Sequence, residues 1–278
     1  MSQTSEMYPL GRDEAESRRL NEQHKLVSDL VGAPIDSAVP LDKISTVADV
    51  ATGTGIWLWD AQRFLNHRAG EADRSFHGFD ISPAQFPAPP AGIDFSVHDV
   101  LKPFPPEYHN RYDLVHVRML VTAFVEPEYQ TAVDNLFSIL KPGGYLQWME
   151  LDFSAGKFLD PGDPPAVQLW YKFVAALNIS QCAPDVLYKA YINRGLLNVT
   201  KRPLLVREHA ELRQRAQNWQ YQFWSMMMPM MLLRVGEAPN TAQAGKMAKD
   251  FLQGLERYFA DGNIVDVRFG TVVGQKAT

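Results

Sequence analysis

Apolar positions along the chain follow two periods, and the way these alternate predicts the architecture. Leu20, Val27, Leu30 and Val31 recur at helical spacing, with His24 on the same stripe. Asp13 and Glu16 in front, and Gly32 with Pro34 behind, predict a capped helix over Asp13–Val31. Ile44–Val50 is a short β-branched run that ends in a glycine-rich turn, and Trp57–His67 is helical in pattern. Further strands are predicted at Phe76–Asp80, Ile93–Val97, Tyr112–Val117 and Tyr145–Leu151. Pro83, Pro87, Pro89 and Pro90 mark a loop, and a helix over Thr131–Leu140 stops at Lys141-Pro142-Gly143-Gly144. Strands alternating with helices of this length build βαβ units, hence a mainly parallel sheet with helices on both faces. After residue 160 the pattern changes. Helices over Ala166–Asn178 and Pro184–Leu196 precede a strand at Val199–Arg207, an aromatic and methionine-rich helix over Glu211–Val235, a helix over Thr241–Tyr258 and a closing strand at Ile264–Gly274.

Charge and composition narrow the function. With 27 basic against 32 acidic side chains in 278 residues, the net charge is −5, which argues against a nucleic-acid partner. The single cysteine, Cys182, excludes an intrachain disulfide and a cysteine-based zinc site, and no metal is expected. The first 25 residues mix acids and bases without an apolar core segment, unlike a signal or transit peptide. The longest apolar run, Met226–Leu233, is interrupted by Pro229 and is too short to cross a bilayer, so a cytoplasmic protein without a membrane partner is expected.

The candidate chemistry sits where the first strand runs into Asp49-Val50-Ala51-Thr52-Gly53-Thr54-Gly55. Glycines let backbone approach a ligand, and the next helix presents free N–H groups. The third glycine of a dinucleotide fingerprint is replaced by Leu58, and no Lys-Ser/Thr pair follows Gly55, which weakens both phosphate-binding readings. Asp80, at the end of the second strand, is placed to accept hydrogen bonds from two ribose hydroxyls. Asp99, after the third, is placed to accept one from an adenine amino group. All three features converge on the carboxyl edge of the sheet.

Val47–Gly55, Phe79-Asp80, His98-Asp99-Val100, Tyr112–Arg118 and Leu140–Leu146, in that order and spacing over about residues 40–155, resemble class I S-adenosylmethionine-dependent methyltransferases. Tyr8–Glu14, Arg19–His24 and Gln147–Glu150 are similar to a narrower group, the fungal methyltransferases of secondary metabolism, including those related to the global regulator of metabolite clusters. The resemblance implies an α/β fold: a Rossmann-like, mainly parallel seven-stranded sheet with an antiparallel last strand, an N-terminal helix and a helical lid insertion. It implies S-adenosylmethionine as cofactor, held by Tyr8, Gln23, Asp49, Ala51, Gly53, Gly55, Asp80, Ile81, Asp99, Val100 and Arg118. The family usually has glycine where this chain has Ala51, a substitution that is benign if the backbone there avoids positive φ.

The acceptor side is read from the segment between the last two strands. Trp219, Phe223, Trp224, Met227, Met228 and Met231 form either plain core, a homodimer contact, or an apolar lid over a bulky small-molecule acceptor. Pro229 is expected to kink that helix. His116, Arg118, Glu150 and Asp152 lie near the carboxyl strand ends; His116 and Glu150 are the candidate catalytic groups, with His116 read first as a buried, hydrogen-bonded residue. The expected organisation is a capping helix (1–35), a cofactor-binding core (36–160), remaining core helices and a strand (161–210), a helical lid (211–260) and a final core strand (261–278). The expected activity is methyl transfer to O, N or S of a largely apolar small molecule. The alternatives are a methyltransferase-fold regulator that binds a protein partner, and an enzyme that uses the bound sulfonium without transferring methyl.

Overall fold

The computed structural model describes residues 13–87, 92–154, 163–265 and 267–278. Helix α1 (Glu14–Val31) starts where the Asp13 side chain accepts the Glu16 N–H at 2.9 Å and ends at Gly32, whose φ of 76° closes the C-terminus. Then follow β1 (Thr46–Val50), α2 (Ile56–Ala69), β2 (Ser75–Asp80), β3 (Ile93–Val97), β4 (Tyr112–Arg118), α3 (Glu126–Ile139) and β5 (Leu140–Asp152). The second half carries α4 (Pro165–Ala176), α5 (Ala183–Arg194), β6 (Leu197–Leu205), α6 (Arg213–Arg234), α7 (Thr241–Ala260) and β7 (Arg268–Gln275).

Seven strands form one sheet in the order β3-β2-β1-β4-β5-β7-β6. The first five pair in parallel, and β7 lies antiparallel between β5 and β6, as the resemblance implies for the last strand. Alternation along the central strands sorts side chains to two faces. Val47, Phe76, Ile93 and Leu114 pack with Trp57, Leu58 and Leu65 of α2. Val50, Val115, Val117 and Trp148 pack on the other face with Tyr129, Val133 and Leu136 of α3. Asp49 and His116, opposite one another in the β1–β4 register, therefore share the α2 face. Because β1, β2, β3 and β4 run parallel, their carboxyl ends lie at one edge, and the strand order switches direction at β1. Helix α6 packs against α7, α4 and α1, and so roofs that edge.

Three boundaries differ from the sequence reading by four residues or more, one of them the start of β7, at Arg268 rather than Ile264. Helix α3 begins at Glu126, because Pro127 suits the first turn and the Glu128 carboxylate caps the Val125 N–H at 2.9 Å. Strand β5 begins at Leu140, which pairs with Tyr112 across an irregularity in the ladder, so the Pro-Gly-Gly sequence lies inside the strand. Pro229 sits inside α6, which continues beyond it to Arg234.

Candidate functional site

The edge of the sheet, α1 and α6 enclose a cavity of about 220 Å³. Its first half is built by the turns after β1, β2 and β3. The β1 turn crosses from Ala51 to Gly55 with the Thr52 N–H on the Phe79 carbonyl at 3.0 Å and the Gly55 N–H on the Thr52 carbonyl at 2.9 Å. Asp80 accepts the Gly53 N–H at 2.9 Å and the Ser82 N–H at 3.1 Å, and Asp99 accepts the Leu101 N–H at 3.0 Å. Both carboxylates line the cavity, with Ile81, whose exposed side chain gives an apolar wall beside Asp80, and Val100. From α1, Arg19, Leu20 and Gln23 close the other side, and Thr54 donates to Asn21 at 2.8 Å across the gap. Gly53 has φ of 54°, and a Cβ there would press on Leu20 at 3.3 Å.

Ala51 departs from expectation. Its φ is 59°, the left-handed region, so the alanine is strained where the sequence reading required extended or right-handed backbone. Gly55 departs differently. It does not line the cavity; a Cβ there would lie 2.8 Å from the Phe95 ring, so its glycine serves packing and the left-handed start of α2.

Two buried polar relays stand below this turn. Asp49 accepts from His116 Nδ1 at 2.7 Å and from the Thr52 hydroxyl at 2.7 Å, and Trp57 stacks on the imidazole at 3.7 Å. Burial, which outweighs the hydrogen bond and charge of Asp49, lowers the His116 pKa, so the ring is neutral with its proton on Nδ1. Arg118 donates to His24 Nδ1 at 3.2 Å. A guanidinium only donates, so His24 carries its proton on Nε2 and donates to Asp60 at 2.5 Å. Burial first, then the Arg118 charge, lowers the His24 pKa. Arg118 also lines the cavity and presents a fixed cation to it.

The second half of the cavity is apolar. Met119–Phe124 form one wall; Phe153, Trp170, Trp219, Phe223 and Trp224 form the other. The rings interlock, with Trp170 5.3 Å from Phe223, 6.0 Å from Trp224 and 4.9 Å from Phe153. Gln220 spends its amide on the Val265 carbonyl and N–H, at 2.8 and 3.2 Å.

Of the residues expected at the acceptor, Trp219, Phe223 and Trp224 line the cavity. Met227, Met228 and Met231 do not; they are essentially fully buried in the core. They continue the same helical stripe, but at about 1.5 Å per residue they lie up to roughly 10 Å beyond Trp224 along α6, past the end of the cavity. Glu150 is also placed elsewhere. It is 0% exposed, does not line the cavity, and so cannot reach an acceptor. Asp152 ends β5 and likewise does not line it. Of the cofactor candidates, Gln23, Asp49, Ala51, Gly53, Asp80, Ile81, Asp99, Val100 and Arg118 come together around the first half, and Tyr8 lies outside the described residues. Arg19, the Met119–Phe124 segment and Trp170 are contributors that the sequence reading did not assign. The segment follows directly on the carboxyl end of β4, where ligands of such sheets sit, and that position was the available signal.

The residues present fit the expected cofactor: two strand-end carboxylates for hydroxyl and amino donors, an apolar side chain beside them, and a half-buried cation for a carboxylate. Comparison with known proteins agrees. Residues 47–144 match the methyltransferase domain family. The methyltransferase grgD of Penicillium sp is 42% identical over 154 residues, covering 52% of this chain and 53% of that protein. The N-methyltransferases sirN of Leptosphaeria maculans (34% identical; 60% of this chain, 57% of that protein) and gliN of Aspergillus fumigatus (33%; 51% and 50%) are similar over a comparable stretch. The chain thus spans about half the length of the curated relatives it matches. Among solved structures, a chain from the complex of the Haloferax volcanii Trm112 methyltransferase activator with its methyltransferase superposes with a TM-score of 0.53 over 96% of both chains, at 16% identity, and shares the fold. By its strand order, its strand-end acids and the methyltransferase domain matched over residues 47–144, the chain is similar to the class I S-adenosylmethionine-dependent methyltransferases.

Proposed function

We propose that the protein transfers a methyl group from S-adenosylmethionine to a nitrogen of an uncharged, largely apolar small molecule. One observation carries this reading: a single cavity joins the polar half at the β1–β3 turns to an aromatic half that, among the described residues, holds no charged side chain. An ionic acceptor would be buried there without a counter-charge, which is costly. Nitrogen is favoured because sirN, gliN, verN of Clonostachys rogersoniana and tcpN of Claviceps purpurea are all named N-methyltransferases.

The cofactor would be held by Asp80 and Asp99 on its nucleoside side and by Arg118 and Gln23 on its amino-acid side; bound, it supplies an electrophilic methyl. The protein's own part is to orient the acceptor between aromatic walls and exclude water. His116, with its Nδ1 on Asp49, lines the cavity beneath the turn. The test is incubation with methyl-labelled cofactor and a panel of neutral aromatic amides, amines, phenols and thiols, with ammonium and carboxylate compounds of similar size beside them, read by mass spectrometry. The expected product carries one labelled methyl on nitrogen. Label found only on charged acceptors, or only on oxygen or sulfur, overturns the reading; binding of the cofactor product with no transfer to any member favours the regulatory alternative.

A further inference from the structure

Glu150 carries a titratable carboxyl that is completely buried and outside the cavity, yet it is tied to the cavity wall. Its Oε1 accepts the Leu120 N–H at 2.7 Å and the Trp148 indole N–H at 2.9 Å, and its Oε2 accepts the Val121 N–H at 3.2 Å. The two backbone donors are consecutive and follow Met119, a non-glycine residue with φ of 59° whose own N–H is held by the Met149 carbonyl at 2.9 Å. Left-handed backbone at such a residue persists only where its surroundings over-determine it, and strain of this kind gathers at functional sites. Here the surroundings are the carboxylate of the neighbouring strand and one backbone bond. The residues so held face the cavity between the strand-end acids and the aromatic wall.

We propose that Glu150 is a positioning residue: by clamping the N–H groups of Leu120 and Val121 it fixes the Met119–Val121 wall where the two halves of the cavity meet. The inference rests on the methyl-transfer reading for its catalytic consequence, and on geometry alone for the clamp. Burial pushes the Glu150 carboxyl up to about 7 against the pull of its N–H donors, and the clamp is complete in the ionised form, in which each oxygen serves only as acceptor. A carboxamide of the same size can serve Leu120 and Trp148 through its oxygen, but it then turns an NH₂ group toward the Val121 N–H.

The variant is therefore Glu150→Gln, compared with the wild type by residue-resolved amide hydrogen exchange, by calorimetry with S-adenosylhomocysteine, and by steady-state kinetics. In the wild type the Leu120 and Val121 amides should exchange slowly although they lie beyond the end of β4. In the variant Val121 should lose protection while Leu120 keeps it. The kcat should fall by about ten- to a hundredfold, as for a wall displaced by about an ångström. The acceptor KM and the affinity for S-adenosylhomocysteine should stay within about threefold, a split that general destabilisation does not give. Fast exchange at both amides in the folded wild type overturns the clamp whether or not the variant folds. Retained Val121 protection in the variant, or an unchanged kcat, overturns it as well. A wild type that transfers no methyl counts against the proposed function instead, and the exchange data still decide the clamp.

Discussion

Ala51→Gly should make the protein more stable, although glycine ordinarily costs stability. The backbone of Ala51 has φ of 59°, a conformation in which the Cβ approaches the following carbonyl. Removing the methyl relieves roughly 1–2 kcal/mol of that strain. Glycine's greater freedom in the unfolded chain takes back about 0.4–1 kcal/mol. The balance is a gain of up to about 1.6 kcal/mol, centred on about 0.8, or a rise in Tm of up to about 6 °C for a chain of this length. Ala51 also lines the cavity, but it offers a cofactor only a methyl surface, so S-adenosylhomocysteine should bind within about threefold of the wild type, a change under 1 kcal/mol. Differential scanning calorimetry reads the first quantity and titration calorimetry the second. A lower Tm would refute the reasoning, since it would mean that the methyl makes packing contacts worth more than the strain. A tenfold gain in affinity would show that it crowds the bound cofactor.

Other substitutions separate wall from core and test the pH behaviour. Met228→Ala should cost about 2–5 kcal/mol of stability, because the side chain is 0% exposed and the site is closely packed. Phe223→Ala, on the half-buried cavity side of the same helix, should hold Tm within a few degrees and lower acceptor kcat/KM by about ten- to a hundredfold. Burial pushes His77 from 6.5 down to about 4. The unfolded chain therefore binds the proton first, and stability should fall as pH drops from about 6.5 to about 4, by at most about 1.4 kcal/mol per pH unit for this one group. Burial lowers His24, His98 and His116 as well, and they add to the same limb. His77→Gln should flatten it in urea midpoints measured against pH.

What the sequence disclosed was local, and what it hid depended on contacts distant along the chain. The Asp49–Gly55 turn, Asp80 and Asp99 were legible because a strand end, a turn and an acid are near neighbours in sequence, and the carboxyl edge follows from the βαβ pattern. Gly55 looks like a ligand-binding glycine until Phe95, forty residues on, is seen against it. Helix α6 is apolar on so much of its circumference that its pattern does not show where the cavity stops, so the methionines beyond Trp224 could not be told from the aromatics before it. Glu150 carried the signal of a strand-end acid and was read as a candidate base. Only the bonds from Leu120 and Val121, about thirty residues earlier, turn it into a support.

The account stands on the cavity's polar half being a site for S-adenosylmethionine, and one calorimetric titration tests that directly. S-adenosylhomocysteine should bind the wild-type chain with one-to-one stoichiometry. Asp80→Ala, which removes the carboxylate placed for the ribose, should weaken binding by about 1.5–3 kcal/mol, roughly ten- to a hundredfold or slightly more, in a protein that still unfolds cooperatively. No binding to the folded wild type, or equal affinity in the folded Asp80→Ala variant, would contradict the account.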